Sequence, residues 1–136
     1  ENGKTFRFDN RIHRMIKTDK TLLKQLMTIL FDNALKYTDE DGVIELTILA
    51  NDRTLFLKVA DNGPGISTAD KKKIFDRFYR VDKARTRQTG GFGLGLSLAK
   101  QITEALKGTI TVKDNKPKGT IFEVKIAIRT DNRKKK

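Results

Sequence analysis

The chain has 136 residues, no cysteine and a formal net charge of +12, from 29 basic and 17 acidic side chains. Its length fits one domain with one hydrophobic core. The absence of cysteine excludes disulfides, thiol catalysis and cysteine-ligated metals, and it fits a reducing compartment. No apolar run approaches the roughly 20 residues of a transmembrane helix, and we expect no signal peptide at the polar opening. The positive charge favours an anionic partner: a nucleotide, a nucleic acid, a membrane surface or an acidic protein.

The first predicted elements are a strand and a long helix. Residues 4–9 (KTFRFD) alternate in polarity, which predicts a short strand. Apolar residues at helical spacing then predict a helix over 21–37, with Thr18 or Asp19 as its N-cap. The lone histidine, His13, lies between these elements, and we predict that it is a surface strand residue.

A hairpin and a second helix follow. The runs VIELTIL (43–49) and TLFLKVA (54–60) flank an ANDR turn, which predicts two antiparallel strands. A helix is predicted over 69–78. The long polar loop after it is of a kind that is usually functional or disordered.

The last predicted elements are a helix over 94–106 and strands around TITV (109–112) and TIFEVKIAI (120–128). In the final strand the apolar residues share one face: Phe122, Val124, Ile126 and Ile128. Strands with one apolar face predict a mostly antiparallel sheet covered by helices on one side only. We assign residues 1–129 to one domain and residues 130–136 to a basic, solvated tail.

The segment VADNGPGIS contains a candidate binding residue. Asp61 continues the inward parity of Leu57 and Val59, so its carboxylate is predicted to face the core. A charge there is costly unless it meets a donor. The alternative is an aspartate that only caps a turn. The neighbouring Gly63 and Gly65, however, leave space for a flat ligand, and a carboxylate accepts hydrogen bonds from an exocyclic amine such as adenine N6.

Three polar groups are predicted to share one face of the helix over 21–37. Lys36 and Tyr37 follow Asn33 by three and four residues, so an amide, an ammonium and a phenol line up. The amide oxygen suits Mg²⁺, and the lysine can contact a phosphate. The alternative is a helix end whose polar groups simply extend into water.

The glycine-rich segment TRQTGGFGLGL leads directly into the helix over 94–106. Glycine lets backbone N–H groups approach an anion, and a helix N-terminus adds unpaired N–H groups. This pattern is typical of phosphate binding, with a mobile hinge as the alternative. The basic loop before it, about residues 81–92, is then predicted to act as a nucleotide lid.

Taken in order, the asparagine helix, DNGPG, FDRFYR, GFGLGL and the late KGT closely resemble the catalytic domain of sensor histidine kinases over nearly the whole chain. That family belongs to the GHKL superfamily, together with gyrase, an ATP-dependent heat-shock chaperone and MutL. The resemblance implies an α+β fold, a two-layer α/β sandwich in which a mixed, mostly antiparallel five-stranded sheet carries three helices on one face (the Bergerat fold). It also implies ATP and Mg²⁺ as cofactors.

The resemblance implies a role for each motif. Asn33 matches the residue that coordinates Mg²⁺, and Lys36 matches the base that contacts the ATP phosphates, so these two are the expected catalytic residues. Asp61 matches the aspartate that binds adenine N6, and Phe75 fits the motif that positions the lid. The other expected nucleotide-binding positions are Tyr37, Gly63, Gly65, Ile66, Phe78, Arg80, Gly91, Gly93, Leu94, Gly95, Leu96 and Thr120.

Two departures from the family pattern bear on mechanism. Many members carry a second asparagine four residues before Asn33, where this chain has Ile29, so one metal or phosphate contact is expected to be missing. Gyrase-like ATPases have a glutamate base there, and isoleucine cannot accept a proton. The phospho-acceptor motif is also missing, since His13 in RIHRM has no acidic neighbour to act as a base.

The expected function is that of the catalytic ATP-binding domain of a two-component sensor histidine kinase. It would transfer the ATP γ-phosphate to a histidine on a separate dimerisation and phospho-acceptor domain. We expect a monomeric cytoplasmic fragment of a longer parent in the cell membrane, with a response regulator as the parent's partner, no nucleic acid, and no membrane segment in this chain. The alternatives are an energy-coupled ATPase of the gyrase or MutL kind, and a basic module that binds nucleic acid or acidic lipid.

Overall fold

The computed structural model describes residues 5–12, 16–38, 41–77 and 95–130. In chain order the elements are β1 (Thr5–Asn10), β2 (Ile16–Lys17), α1 (Lys20–Tyr37), β3 (Val43–Ala50), β4 (Thr54–Asp61), α2 (Thr68–Lys71), α3 (Gly95–Ala105), β5 (Gly108–Asp114), β6 (Thr120–Ala127) and β7 (Arg129–Thr130). Within these ranges no helix is both long enough and apolar enough to cross a membrane. His13, the loop over 81–92 and residues 131–136 of the predicted tail lie outside the described residues, so the predictions for them stay predictions. Thr130, predicted as the first residue of the tail, lies in β7.

Five strands form one mixed sheet in the order β1-β3-β4-β6-β5. The β1 strand runs parallel to β3, and the other three pairs are antiparallel. A separate two-stranded sheet pairs β2 with β7. The predicted fold class, an α+β two-layer sandwich with a mixed, mostly antiparallel sheet, is confirmed.

The core lies between one face of the sheet and the helices. The sheet contributes alternate residues of its central strands, namely Ile44, Ile48, Leu55, Leu57, Val59, Phe122, Val124 and Ile126. The helices α1 and α3 contribute residues spaced three or four apart, namely Leu26, Leu30, Ala34, Ala99 and Ile102. The shared face predicted for the last strand, including Ile128, is therefore confirmed.

Local hydrogen bonds set the start of α1 and the β3–β4 turn. The side chain of Asp19 accepts a hydrogen bond from the N–H of Leu22 at 3.0 Å, which makes Asp19 the N-cap. In the turn, Oδ1 of Asn51 accepts hydrogen bonds from the N–H groups of Arg53 and Thr54 at 2.9 and 2.8 Å. The cap and the turn both depend on neighbouring residues, and the sequence pattern predicted the bounds of α1, β3 and β4 to within a residue or two.

The predicted helix over 69–78 is wrong in extent. The α2 helix covers only Thr68–Lys71, and successive turns follow it as far as residue 77. Hydrogen bonds in these turns span three residues, as from the N–H of Asp76 to the oxygen of Lys73. The neighbours Ile74 and Phe75 both pack against the core, which adjacent positions on a regular helix do poorly, and the Phe75 ring lies 6.2 Å from that of Phe122.

The core predicts a contrast between two leucine substitutions. Leu57 is 1% exposed, so Leu57→Ala should lower the free energy of unfolding by about 2–5 kcal/mol through lost burial and a residual cavity. Leu98 on α3 is 44% exposed, so Leu98→Ala should change it by no more than about 0.5 kcal/mol. Urea unfolding of both variants measures the contrast, and equal losses would contradict this description of the core.

Candidate functional site

A polar position interrupts one end of the apolar sheet face. Asp61, the last residue of β4, pairs with Ile44 on one side and with Thr120 on the other. Asp61 and Thr120 are each only 5% exposed. The inward orientation predicted for Asp61 from strand parity is therefore observed, and a carboxyl group lies at the edge of the hydrophobic core.

The Asp61 carboxyl group is held by backbone donors. Its Oδ1 accepts a hydrogen bond from the N–H of Gly63 at 2.9 Å. Burial raises the pKa of Asp61 above its ordinary value, and hydrogen bonds from the backbone N–H groups of Gly63 and Thr120 oppose that shift. An ionised carboxylate offers about four acceptor sites, so two backbone donors leave capacity for a further donor.

The DNGPG loop is fastened to the strand and helix beside it. Asn62 forms two hydrogen bonds with Val43: its Oδ1 accepts from the Val43 N–H at 2.8 Å, and its own N–H donates to the Val43 oxygen at 3.2 Å. A Cβ on Gly63 would lie 2.5 Å from the backbone oxygen of Tyr37. Glycine is therefore required at position 63, because the loop passes directly against the end of α1.

A second close approach joins this loop to the β5–β6 hairpin. Gly65 and Gly119 both have positive φ, 85° and 115°. A Cβ on Gly65 would be 3.4 Å from the Gly119 oxygen, and a Cβ on Gly119 would collide with the backbone of Asp61 and Asn62. The two glycines thus bring the hairpin turn to the predicted binding aspartate.

The end of α1 carries the predicted polar groups. Asn33 and Tyr37 are half-buried, and Lys36 is exposed in the last turn. Tyr37 borders the DNGPG loop through its contact with Gly63. The next residue, Thr38, is 2% exposed, and its hydroxyl has no hydrogen-bond partner among the described residues.

Ile29, one of the two departures from the family pattern, lies beside the start of α3. A Cβ on Gly95, the first residue of α3, would lie 3.7 Å from Cγ2 of Ile29. The end of the glycine-rich segment therefore reaches α1 one turn before Asn33, and at Ile29 it meets a hydrocarbon surface. That side chain packs against the core and has no atom that could ligate a metal or accept a proton.

The remaining predicted site residues divide into two groups. Ile66 and Leu96 are half-buried and pack against the hydrophobic core, and Gly95 is exposed at the start of α3. The others lie outside the described residues, so their predicted roles stay predictions: Phe78, Arg80, Gly91, Gly93 and Leu94.

Sequence reasoning missed the side chains that fasten the loop. Asn62 lies within the DNGPG motif, and an asparagine before glycine is a turn signal that could have identified it. Asn115 donates from Nδ2 to the backbone oxygen of Asp61 at 2.8 Å. Lys71 forms an ion pair with Asp114, with 2.6 Å between Nζ and Oδ1. Nothing local in the sequence indicates these last two contacts, because each joins segments that are distant in the chain.

The arrangement is suited to a flat ligand that carries an amine and an anionic group. The amine would meet the buried carboxylate of Asp61, and the anion would lie toward Asn33 and Lys36 at the end of α1. In the described ranges no three His, Cys, Asp or Glu side chains cluster as metal ligands. Mg²⁺ commonly takes few protein ligands together with substrate phosphates, and the Asn33 amide oxygen has the chemistry of such a ligand.

A family model described as "Histidine kinase-, DNA gyrase B-, and HSP90-like ATPase" matches residues 18–130. The chain therefore belongs to this family of ATPase domains, and its relatives identify it further as the GHKL ATP-binding domain of a sensor histidine kinase. The sensor protein CiaH of Streptococcus pneumoniae is 78% identical over all 136 residues, which are 31% of the CiaH chain. The sensor histidine kinase WalK of Bacillus subtilis is 43% identical over 107 residues, 77% of this chain and 18% of WalK.

Solved structures agree with this assignment. The catalytic domain of histidine kinase ThkA superposes with a TM-score of 0.79 at 26% identity, covering 96% of this chain and 83% of that one. Full-length ShkA in complex with AMPPNP gives a TM-score of 0.80 at 28% identity, covering 96% of this chain and 27% of ShkA. The chain thus spans about a third or less of the curated sensor proteins it matches.

The raised pKa of Asp61 predicts a pH-dependent stability. The folded state binds this proton more tightly than the unfolded state, so the resulting stability is fully present below the ordinary pKa of 3.8 and is lost as pH rises through the folded pKa. Asp61→Asn does not titrate. The free energy of unfolding of the unliganded wild type should therefore fall relative to that of Asp61→Asn as pH is raised from below 3.8 to neutrality.

Urea unfolding of both proteins at several pH values measures this difference. Asp19→Asn is the control, because Asp19 is exposed and asparagine is an equally good N-cap. A wild-type stability that rises with pH relative to Asp61→Asn would show that the pKa of Asp61 is lowered in the folded state, so that the backbone hydrogen bonds outweigh burial.

Proposed function

We propose that this domain binds ATP with Mg²⁺ and supplies the γ-phosphate to a histidine on a separate dimerisation and phospho-acceptor domain. The observation that carries the proposal is the buried carboxylate of Asp61, held by backbone donors beside two positive-φ glycines. Its remaining acceptor capacity suits the amine of adenine. The complex of the similar kinase ShkA with AMPPNP, an ATP analogue, supports an adenine nucleotide as the ligand.

The phosphate end is assigned to α1 and to the start of α3. Asn33 is the proposed Mg²⁺ ligand, and Lys36 is proposed to contact the phosphates as a point charge. Tyr37 would line the nucleotide between these groups and the DNGPG loop. Catalysis of phosphoryl transfer is then chiefly positioning and charge neutralisation, which needs no general base on this domain.

The parent protein is proposed to be a membrane-anchored sensor with this domain in the cytoplasm. The chain corresponds to 31% of the related CiaH sensor, so a parent of similar length has room for sensing and acceptor domains. A structure of the related kinase ThkA contains the response regulator TrrA. We therefore propose a response regulator as the parent's partner.

The described residues favour this function over the two alternatives. An energy-coupled ATPase needs a base where Ile29 offers only hydrocarbon to Gly95. A nucleic-acid or lipid module would account for the net charge of +12, but it would give no role to the buried carboxylate of Asp61 or to the glycines packed around it.

Nucleotide titration tests the role of Asp61. Asp61→Asn keeps the shape of the side chain but replaces an oxygen acceptor with an amide, so the amine of adenine loses its charged partner. Such a loss costs about 1.5–3 kcal/mol, or about tenfold or more in ATP affinity. Asp19→Asn makes the same charge change at the exposed N-cap of α1 and should bind ATP as the wild type does. An unchanged ATP affinity in folded Asp61→Asn would refute the assignment.

Phosphoryl transfer should require a second domain. With γ-labelled ATP the isolated chain should acquire no acid-labile phosphate, because its one histidine, His13, has no acidic neighbour to act as a base. Adding the parent's acceptor domain in trans should give weak labelling of that domain, since the tether and its effective concentration are lost. His13→Gln should leave this labelling unchanged. Stoichiometric phosphohistidine at His13 without an added domain would contradict the proposed division of labour.

A further inference from the structure

The turn between β5 and β6 contacts the binding aspartate through one side chain, Asn115. Its Nδ2 donates to the backbone oxygen of Asp61 at 2.8 Å, across 54 residues of sequence. Its Oδ1 accepts from the N–H of Lys116 at 2.9 Å, and its own backbone N–H donates to the oxygen of Gly119 at 3.0 Å. In the side-chain amide of Asn115, only the NH₂ group can donate to the backbone oxygen of Asp61, and only Oδ1 can accept from the N–H of Lys116. These two partners therefore define the orientation of the amide.

The peptide plane between Asp61 and Asn62 is consequently held at both edges. Its oxygen accepts from Asn115, and its N–H donates to the backbone oxygen of Val43 at 3.2 Å. Because the peptide unit is planar, fixing both edges limits rotation about the bonds that flank it. That plane leads directly to the N–H of Gly63, which is the donor to the Asp61 carboxylate.

A second contact fastens the far end of the same loop to the same hairpin. Lys71, the last residue of α2, forms an ion pair with Asp114, the residue before Asn115. The Lys71 side chain is 20% exposed and the Asp114 side chain is 67% exposed, so only the lysine side of this pair is shielded from solvent. The loop from Asn62 to α2 is therefore tied to the β5–β6 hairpin at both ends.

We propose that Asn115 is a positioning residue for nucleobase recognition: it holds the backbone of Asp61 so that the carboxylate faces the amine of the base. This inference rests on the proposed adenine-binding role of Asp61. Asn115 acts through Asp61 and needs no contact with the nucleotide. Loss of the Asn115 amide should therefore weaken the preference for a nucleobase that carries the amine, and it should not weaken nucleotide binding in general.

The sharpest variant is Asn115→Asp. It keeps an oxygen to accept from the Lys116 N–H, but it replaces the NH₂ group with an oxygen that faces the Asp61 carbonyl. Asn51→Asp is the matched control, because among the described residues the Asn51 side chain bonds through Oδ1 alone, toward Arg53 and Thr54, and aspartate preserves both bonds. Both substitutions add the same charge to a hairpin turn of the sheet.

The readout is the ratio of affinities for ATP and for purine riboside triphosphate, which lacks the 6-amino group. In Asn115→Asp this ratio should fall about fivefold, since one hydrogen bond is lost and replaced by repulsion. In Asn51→Asp it should stay at the wild-type value. If the added charge only repelled the phosphates, the affinities for ATP and for purine riboside triphosphate would fall equally, and their ratio would stay unchanged.

An unchanged ratio in folded Asn115→Asp, or an equal fall in Asn51→Asp, would overturn the inference. If circular dichroism shows that Asn115→Asp is unfolded, Asn115→Ala replaces it, with the same expected fall and the same refuting result. Asp61→Asn is measured in parallel. A ratio that survives Asp61→Asn overturns the adenine role and this inference together, whereas a ratio lost in Asp61→Asn but kept in the Asn115 variants overturns this inference alone.

Discussion

The burial of one carboxyl group in the apolar face of the sheet constrains the architecture around it. Strand parity turns Asp61 inward, next to Ile44 and Thr120 in the same row of the sheet. A carboxylate there is costly unless donors surround it, and the chain supplies them from backbone N–H groups. For the Gly63 N–H to reach the carboxylate, the chain must turn immediately after β4. The tight turn after β4 follows from that requirement, and it brings Gly63 directly against the end of α1.

The same helix that borders this loop also receives the start of α3. Gly63 passes against Tyr37 at the end of α1, while Gly95 lies near Ile29 two turns earlier. The two glycine-containing motifs, remote in sequence, therefore lie along one helix, with Asn33 between them. At Ile29 this chain meets α3 through apolar packing, so the helix contact there contributes to the core and not to metal binding.

Features that depend on neighbouring residues were predictable from the sequence, and features that join distant segments were not. The inward face of β4 follows from local spacing, so Asp61 was correctly placed, and the N-cap of α1 was narrowed to Thr18 or Asp19, of which the structure has Asp19. The second helix was predicted too long, because the pattern did not show that Ile74 and Phe75 both reach the core through tight turns. The Asn115 contact was invisible, since its partner lies 54 residues away, and the two-residue pairing of β2 with β7 is too short to have a period.

The contact between Gly65 and Gly119 limits how the candidate site can be altered. Each residue has a backbone conformation that side chains rarely adopt, and each faces the other loop at van der Waals distance or closer. Randomising either loop alone would therefore yield mostly strained or clashing variants at these two positions. If this site binds a nucleobase as proposed, side chains on the sheet, such as the one at position 120 beside Asp61, offer a way to change its preference that leaves these loop backbones intact.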